Sequence, residues 1–160
     1  MEENRYTYHF DNPIGIVEVK ELIDVLSLHD KIDLFFTTEG GEAVSMEVLT
    51  HYLNTRKDDI TIHIVDFLMS AGVFLLLDFE GKIELHKTLD YILIHGIDRM
   101  VYRNREQKIS KDILQEQLQN YNSQIAKKLT KFGLTKQEIK DYNLGKDIIL
   151  YQKDFKRLKF

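Results

Sequence analysis

Cysteine and tryptophan are absent from this 160-residue chain, proline occurs once and glycine eight times. Without cysteine there is no disulfide, no thiolate metal site and no thiol nucleophile, which fits a cytoplasmic setting. Neither sign of charge dominates, with 22 basic and 26 acidic side chains. The formal net charge is −4, and the one basic stretch with interleaved aromatics is the short tail Phe155-Lys156-Arg157-Leu158-Lys159-Phe160. Nucleic acid is therefore not an expected partner. Long apolar runs are missing as well. The longest, Ala71 to Leu77, is far too short to span a bilayer, and the start Met1-Glu2-Glu3-Asn4 is acidic with no apolar region. Neither secretion nor a membrane partner is expected. No repeat, low-complexity tract or linker rich in Pro, Gly or Ser interrupts the chain, and Pro13 marks no boundary, so residues 1–160 read as a single domain.

What is present is ordinary for a globular protein, with 43% hydrophobic and 30% charged residues. Gly15-Ile16-Val17 reads as a short strand or its exit, followed by a helix through Val19, Leu22, Ile23, Val25 and Leu26. Ile32 to Thr37 is a candidate buried strand, broken by Glu39-Gly40-Gly41-Glu42. A second amphipathic helix then runs to about Leu53, with Val44, Val48 and Tyr52 on one stripe and Met46, Leu49 and Leu53 beside it. Ile60 to Asp66 alternates cleanly and predicts a strand, with a helix starting at Ser70 and ending before Glu80-Gly81. Ile83-Glu84-Leu85 and Tyr91 to His95 predict two more strands. Short connections between successive strand–helix units imply an α/β protein with a mixed or parallel sheet. From Ser110 the spacing predicts a long helix, with Ile113, Leu114, Leu118, Tyr121, Ile125 and Leu129 on one face. Gly133 stops it, Thr135-Lys136-Gln137-Glu138 is a capping-box start for a short helix, and Asp147 to Leu150 looks extended.

Three polar positions stand out. Ser70 lies at a strand-to-helix turn, where a hydroxyl either caps free backbone N–H groups or uses them for oxyanion chemistry. Capping is the commoner fate. His95 ends an apolar run beside Gly96, which suits either a general base facing a cleft or a histidine satisfied by backbone. His63 within a strand and His86 beside Lys87 are weaker candidates. Gly40-Gly41 is either a tight turn or an exposed set of N–H groups at a helix start, and Asp147 by itself reads as a turn residue.

The order of these features resembles the proteolytic subunit of the Clp protease. Thr38-Glu39-Gly40-Gly41 is followed by Met69-Ser70-Ala71-Gly72-Val73-Phe74-Leu75-Leu76, then by Ile94-His95 and then by Gly145-Lys146-Asp147. The resemblance runs from about Tyr8 onward and includes the long helix and the short one after it. It implies a spiral of ββα units of the Clp protease and crotonase type, with the long helix as a handle around Lys111 to Lys131. It implies Ser70 as nucleophile, His95 as general base and Asp147 as the residue that orients the imidazole. Gly41 and Ala71 would supply the oxyanion-hole N–H groups. No metal and no cofactor are implied. The partners implied are a peptide or unfolded-protein substrate, further copies of the chain in a ring, and an unfolding ATPase.

Several positions differ from the family pattern. Glu39 replaces the proline of the glycine turn, Asp66-Phe67-Leu68-Met69 replaces a run of small residues before the serine, and Gly96-Ile97 follows His95 where the family has Gln-Pro. Asp98 to Arg105 replaces a glycine-rich strand lining the substrate groove, and the chain starts later than the family's axial segment. The alternative reading is therefore a catalytically silent assembly subunit of the same fold. An acyl-CoA enzyme of the crotonase type is a third, less favoured reading.

Overall fold

Alternating β-branched and aromatic residues build the centre of the molecule. A computed structural model describes residues 4–97 and 111–160, so the expected groove segment Asp98 to Arg105 and the first residue of the expected long helix, Ser110, lie outside the described residues. The described elements are β1 (Tyr6–Asp11), α1 (Ile16–Leu26), β2 (Ile32–Thr38), α2 (Ala43–Thr55), β3 (Ile60–Met69), a 3-10 turn (Ser70–Val73), α3 (Phe74–Asp78), β4 (Lys82–Leu85), β5 (Tyr91–Ile94), α4 (Lys111–Phe132), α5 (Lys136–Asn143), β6 (Ile148–Tyr151) and α6 (Gln152–Phe155). The protein is mixed α/β, with a six-stranded sheet ordered β1-β2-β3-β5-β6 and β4 also paired to β3. β1 with β2, β2 with β3, and β3 with both β4 and β5 are parallel. The chain forms two compact units, Met1–Ile94 with Ile149–Leu158, and His95–Ile148. Among the described residues, no helix is long and apolar enough to cross a membrane.

In the first unit, one set of alternating side chains is fully buried, with Ile32, Leu34 and Phe36 on β2 and Ile60, Ile62, Ile64 and Leu68 on β3. They share the core with Val19, Leu22 and Leu26 of α1 and Met46, Leu49 and Leu53 of α2. The opposite set mixes polar and apolar side chains that are mostly half-buried, and ion pairs join its charged members. Asp33 on β2 accepts from Arg5 at 3.0 Å and meets His63 of β3 at 3.2 Å, while the other nitrogen of His63 lies 3.1 Å from Glu84 of β4. Burial raises the Asp33 carboxyl, but the hydrogen bonds from His63 and Arg5 outweigh it and hold the group below its ordinary value.

Two expectations for this unit need correction. Ile16 and Val17 begin α1 instead of forming a strand, and the first strand is Tyr6–Asp11, an edge strand whose outer positions Thr7, His9 and Asp11 are exposed. Val44 and Val48 are not on the buried stripe of α2 but are 71% and 45% exposed. Ser45 and Thr50 take the buried places, because each hydroxyl finds an acceptor nearby, Glu42 Oε2 at 2.6 Å and the Met46 carbonyl at 2.9 Å.

The strand expected to end at Asp66 continues to Met69 through an irregularity. Phe36 pairs with Ile64 and Thr38 with Leu68, so Thr37 alone stands opposite Val65, Asp66 and Phe67. Asp66 takes the extra length by adopting φ +53°. The Thr37 hydroxyl spans the defect, donating to the Phe67 carbonyl at 2.8 Å and accepting from the Phe67 N–H at 3.4 Å. Below the bulge β3 pairs with β4, and above it Phe67, Leu68 and Met69 pair with Tyr91, Ile92 and Leu93 of β5.

In the second unit, α4 packs against α5, and Ile125, Ala126, Leu129, Phe132 and Tyr142 are buried. Gly133, at φ +119°, ends α4, with the N–H groups of Gly133 and Leu134 both returning to the Leu129 carbonyl. The capping box forms as the spacing predicts, Thr135 N–H to Glu138 Oε2 at 2.7 Å and Glu138 N–H to Thr135 Oγ1 at 3.2 Å.

Thr37→Val keeps the shape at the bulge and removes both of its hydrogen bonds. Urea unfolding should show a loss of about 1 to 3 kcal/mol, the range for buried polar groups left unpaired. An unchanged midpoint would show that the bulge does not depend on this hydroxyl.

Candidate active site

Parallel strands of one sheet end on the same side, and the loops that leave those ends are where α/β proteins place ligands. β2 leaves into Glu39-Gly40-Gly41, β3 into Ser70, and β5 into His95. Three of the four predicted motifs therefore begin at carboxyl ends of strands.

Thr38 sets the first of these loops. Its hydroxyl, almost fully buried, donates to the Asn12 carbonyl at 2.7 Å and accepts from the Gly40 N–H at 3.0 Å. Gly40 and Gly41 then take φ values of +96° and +146°, which side chains disfavour. Space also requires glycine here. A Cβ on Gly40 would lie 2.5 Å from the Ser70 Cβ and 3.1 Å from its Oγ, and one on Gly41 would strike the Ile14 backbone. Ile14 bridges to Gly41 as a parallel partner, using the groups on either side of it. The Ile14 N–H donates to the Gly40 carbonyl at 2.7 Å, and the Ile14 carbonyl accepts from Glu42 N–H at 2.8 Å. By strand alternation, the N–H of Gly41 itself points away from Ile14.

Ser70 is one of two non-glycine residues, among those described, with positive φ, at +54°. This is the left-handed region, where a serine is uncommon. The value reverses the chain at the end of β3, and Ser70 opens the turn Ser70–Val73 with no side-chain cap from Met69 before it. Gly72 lets the turn sit down on the sheet, since a Cβ there would meet Thr38 Cγ2 at 2.5 Å. Ala71 is buried directly after the serine, in the first turn, where backbone N–H groups have no partner within the helix. The structure thus brings together Ser70, Ala71 and the Gly40-Gly41 turn. A strand, a tight turn and a helix follow one another at Ser70.

The second unit holds His95 and Asp147. His95 follows β5 directly, Asp147 precedes β6 directly, and β5 and β6 are sheet neighbours. Both residues are exposed. No hydrogen bond or ion pair joins the Asp147 carboxylate to another side chain among the described residues, so the expected bond from Asp147 to the His95 imidazole is not formed. The backbone after His95 is held firmly by Asn122 of α4. Its amide oxygen accepts from the Ile97 N–H at 2.9 Å, its amide nitrogen donates to the Ile97 carbonyl at 2.8 Å, and the Tyr142 hydroxyl donates to the same oxygen at 3.1 Å. Sequence reasoning passed over Asn122, since an asparagine on the polar side of a helix gives no local sign of such a role.

The competing histidines have structural partners. His63 is held between Asp33 and Glu84, and the His86 Nδ1 lies 2.9 Å from the Thr88 hydroxyl. Glu39, beside the glycine turn, is exposed.

Burial pushes the Tyr142 phenol up to about 12. A raised folded-state value means that its contribution to stability is complete below pH 10 and is lost as pH rises from 10 towards 12. Stability should fall by up to about 2 kcal/mol over that range, and Tyr142→Phe should flatten the fall. Identical pH profiles for the two proteins would show that this phenol is not buried as described. No protein-family model matches the chain, and comparison with curated proteins finds no match either.

Proposed function

We propose that the chain is a serine peptidase that cleaves peptides or unfolded proteins through an acyl-enzyme, with the fold of the Clp proteolytic subunit and its crotonase-type relatives. The observation that carries this reading is the left-handed Ser70 at the carboxyl end of a parallel strand, with its side chain against Gly40. A hydroxyl that serves only as a cap has no need of a positive φ.

In the proposed reaction the Ser70 Oγ attacks the peptide carbonyl carbon while His95 takes its proton. The carbonyl oxygen becomes an oxyanion that accepts hydrogen bonds from the Gly41 and Ala71 N–H groups. The C–N bond then breaks, and the proton on His95 passes to the departing amine. Water, deprotonated by His95, attacks the ester and releases the acid. Asp147 would orient the imidazole. One oxyanion-hole donor is typically worth about 3 to 4 kcal/mol of transition-state stabilisation.

The proposal extends to assembly in a cytoplasmic ring, with an unfolding ATPase as a further partner. Two features support self-association. Ile16 and Val17 at the start of α1 and Val44 and Val48 on α2 are exposed apolar residues on adjacent helices. The first half of α4 also leaves its apolar stripe incompletely covered, with Ile113 exposed and Leu114, Leu118 and Tyr121 half-buried. The exposed Asp147 favours a second reading, in which the same fold serves as a catalytically silent ring subunit.

A fluorophosphonate probe should label the wild-type protein, and Ser70→Ala should lower the labelling rate by at least about a thousandfold. Equal labelling of both proteins would remove Ser70 from the reaction, and no labelling of either would select the silent subunit. In native mass spectrometry the wild type should appear as a multimer and Val44→Asp as a single chain. A monomeric wild type would overturn the ring.

A further inference from the structure

The four residues before Ser70 differ in where the structure sends them. Leu68 is fully buried in the core, and Asp66 turns outward at the bulge. Phe67 and Met69 stand half-buried on the other face of the sheet, and Tyr91 of β5 fixes both. The rings of Phe67 and Tyr91 stack with centroids 6.0 Å apart at an interplanar angle of 15°. The Tyr91 hydroxyl donates to the Met69 sulfur at 3.6 Å. Methionine usually adapts its shape to what presses on it, but this one is held at its sulfur and lies beside Leu93, its register partner.

Strand order gives this wall a definite relation to the nucleophile. β3 lies between β2 and β5, so Ser70 has the Gly40-Gly41 turn on its β2 side, while Met69 just before it is bonded towards β5 by the Tyr91 hydroxyl. An acyl group on Ser70 that directs its oxygen towards the Gly41 N–H must direct its other substituent away from the glycine turn. That substituent is the α-carbon and side chain of the residue whose carbonyl is attacked, and Met69, next to Ser70 in the chain and held towards β5 by Tyr91, lies on that side.

We infer that Met69, held by Tyr91 and Phe67, restricts the residue on the acyl side of the cleaved bond to a small side chain, glycine or alanine. This rests on the peptidase reading above. It names the substrate class of that site from residues that the triad itself does not use. Met69 is a specificity residue here, and Tyr91 acts through it as a positioning residue.

Peptidyl diphenyl phosphonates that differ only in this residue test the inference. The Ser70 Oγ forms a bond to phosphorus, a phenoxide leaves, and the hydroxyl proton leaves with it as phenol. A small fluorophosphonate serves as a reference that does not sense side-chain size. The wild type should react with the alanyl phosphonate at least about tenfold faster than with the phenylalanyl one, the scale on which a pocket discriminates by size. Met69→Ala should abolish that preference by raising the phenylalanyl rate, each rate being taken relative to the same variant's own fluorophosphonate rate. Tyr91→Phe, which keeps the stacked ring and removes only the hydroxyl, should reduce the preference part of the way. Normal fluorophosphonate labelling of Ser70 with equal alanyl and phenylalanyl rates in the wild type would overturn the inference alone, as would a preference that survives Met69→Ala. Loss of all Ser70 labelling would overturn the peptidase reading and this inference with it.

Discussion

Two neighbouring threonines at the end of β2 hold the two irregular backbone features that shape the candidate site. Thr37 bonds across the bulge at Asp66, and Thr38 bonds into the glycine turn. A parallel sheet buried on one face tolerates unpaired backbone groups poorly, so a defect in its ladder persists only where side chains take over the lost hydrogen bonds. Once the bulge is fixed, the upper half of β3 can exchange β4 for β5, and the end of β3 is set in register with Leu93. Once the glycine turn is fixed, Gly40 can lie against Ser70. The site's geometry in the first unit descends from these two hydroxyls.

The second unit depends on side-chain polarity of another kind. Asn122 supplies Ile97 with both a donor and an acceptor, much as a neighbouring strand would, and Tyr142 adds a third bond to the same amide. The amide is therefore committed to one orientation and one rotamer. The segment that begins at His95 gains a fixed point two residues on, from a helix that is distant in sequence.

Periodicity made much of the fold readable. β2 and β5 carry mostly apolar runs, β4 alternates charged and apolar residues, and the helix stripe around Ile125 and Leu129 and the capping box at Thr135 are local patterns with local causes. β1 escaped notice because an edge strand buries little, and its alternation of Tyr, Thr and His gives a weak contrast. Val44 and Val48 misled for the opposite reason, since their hydrophobicity suggested burial while Ser45 and Thr50 could enter the core by bonding locally. In the site, the Ser70 turn was visible as a change from strand to helix spacing. Its positive φ, its approach to Gly40 and the lock on Met69 are tertiary properties set by register, which no single stretch of sequence records. His95 and Asp147 were read from motif order alone, and no bond between them forms in the structure.

The left-handed serine also bears on how such a protein can be altered. Of the substitutions open to position 70, glycine suits the backbone best, because it adopts φ near +54° without strain, whereas other residues carry a cost on the order of 1 kcal/mol or more there. The change that most relieves the turn is thus one that deletes the hydroxyl. Stability and chemistry pull in opposite directions at this residue. A search for sturdier variants of this chain, guided by stability alone, would be drawn towards erasing the group around which its proposed activity is built.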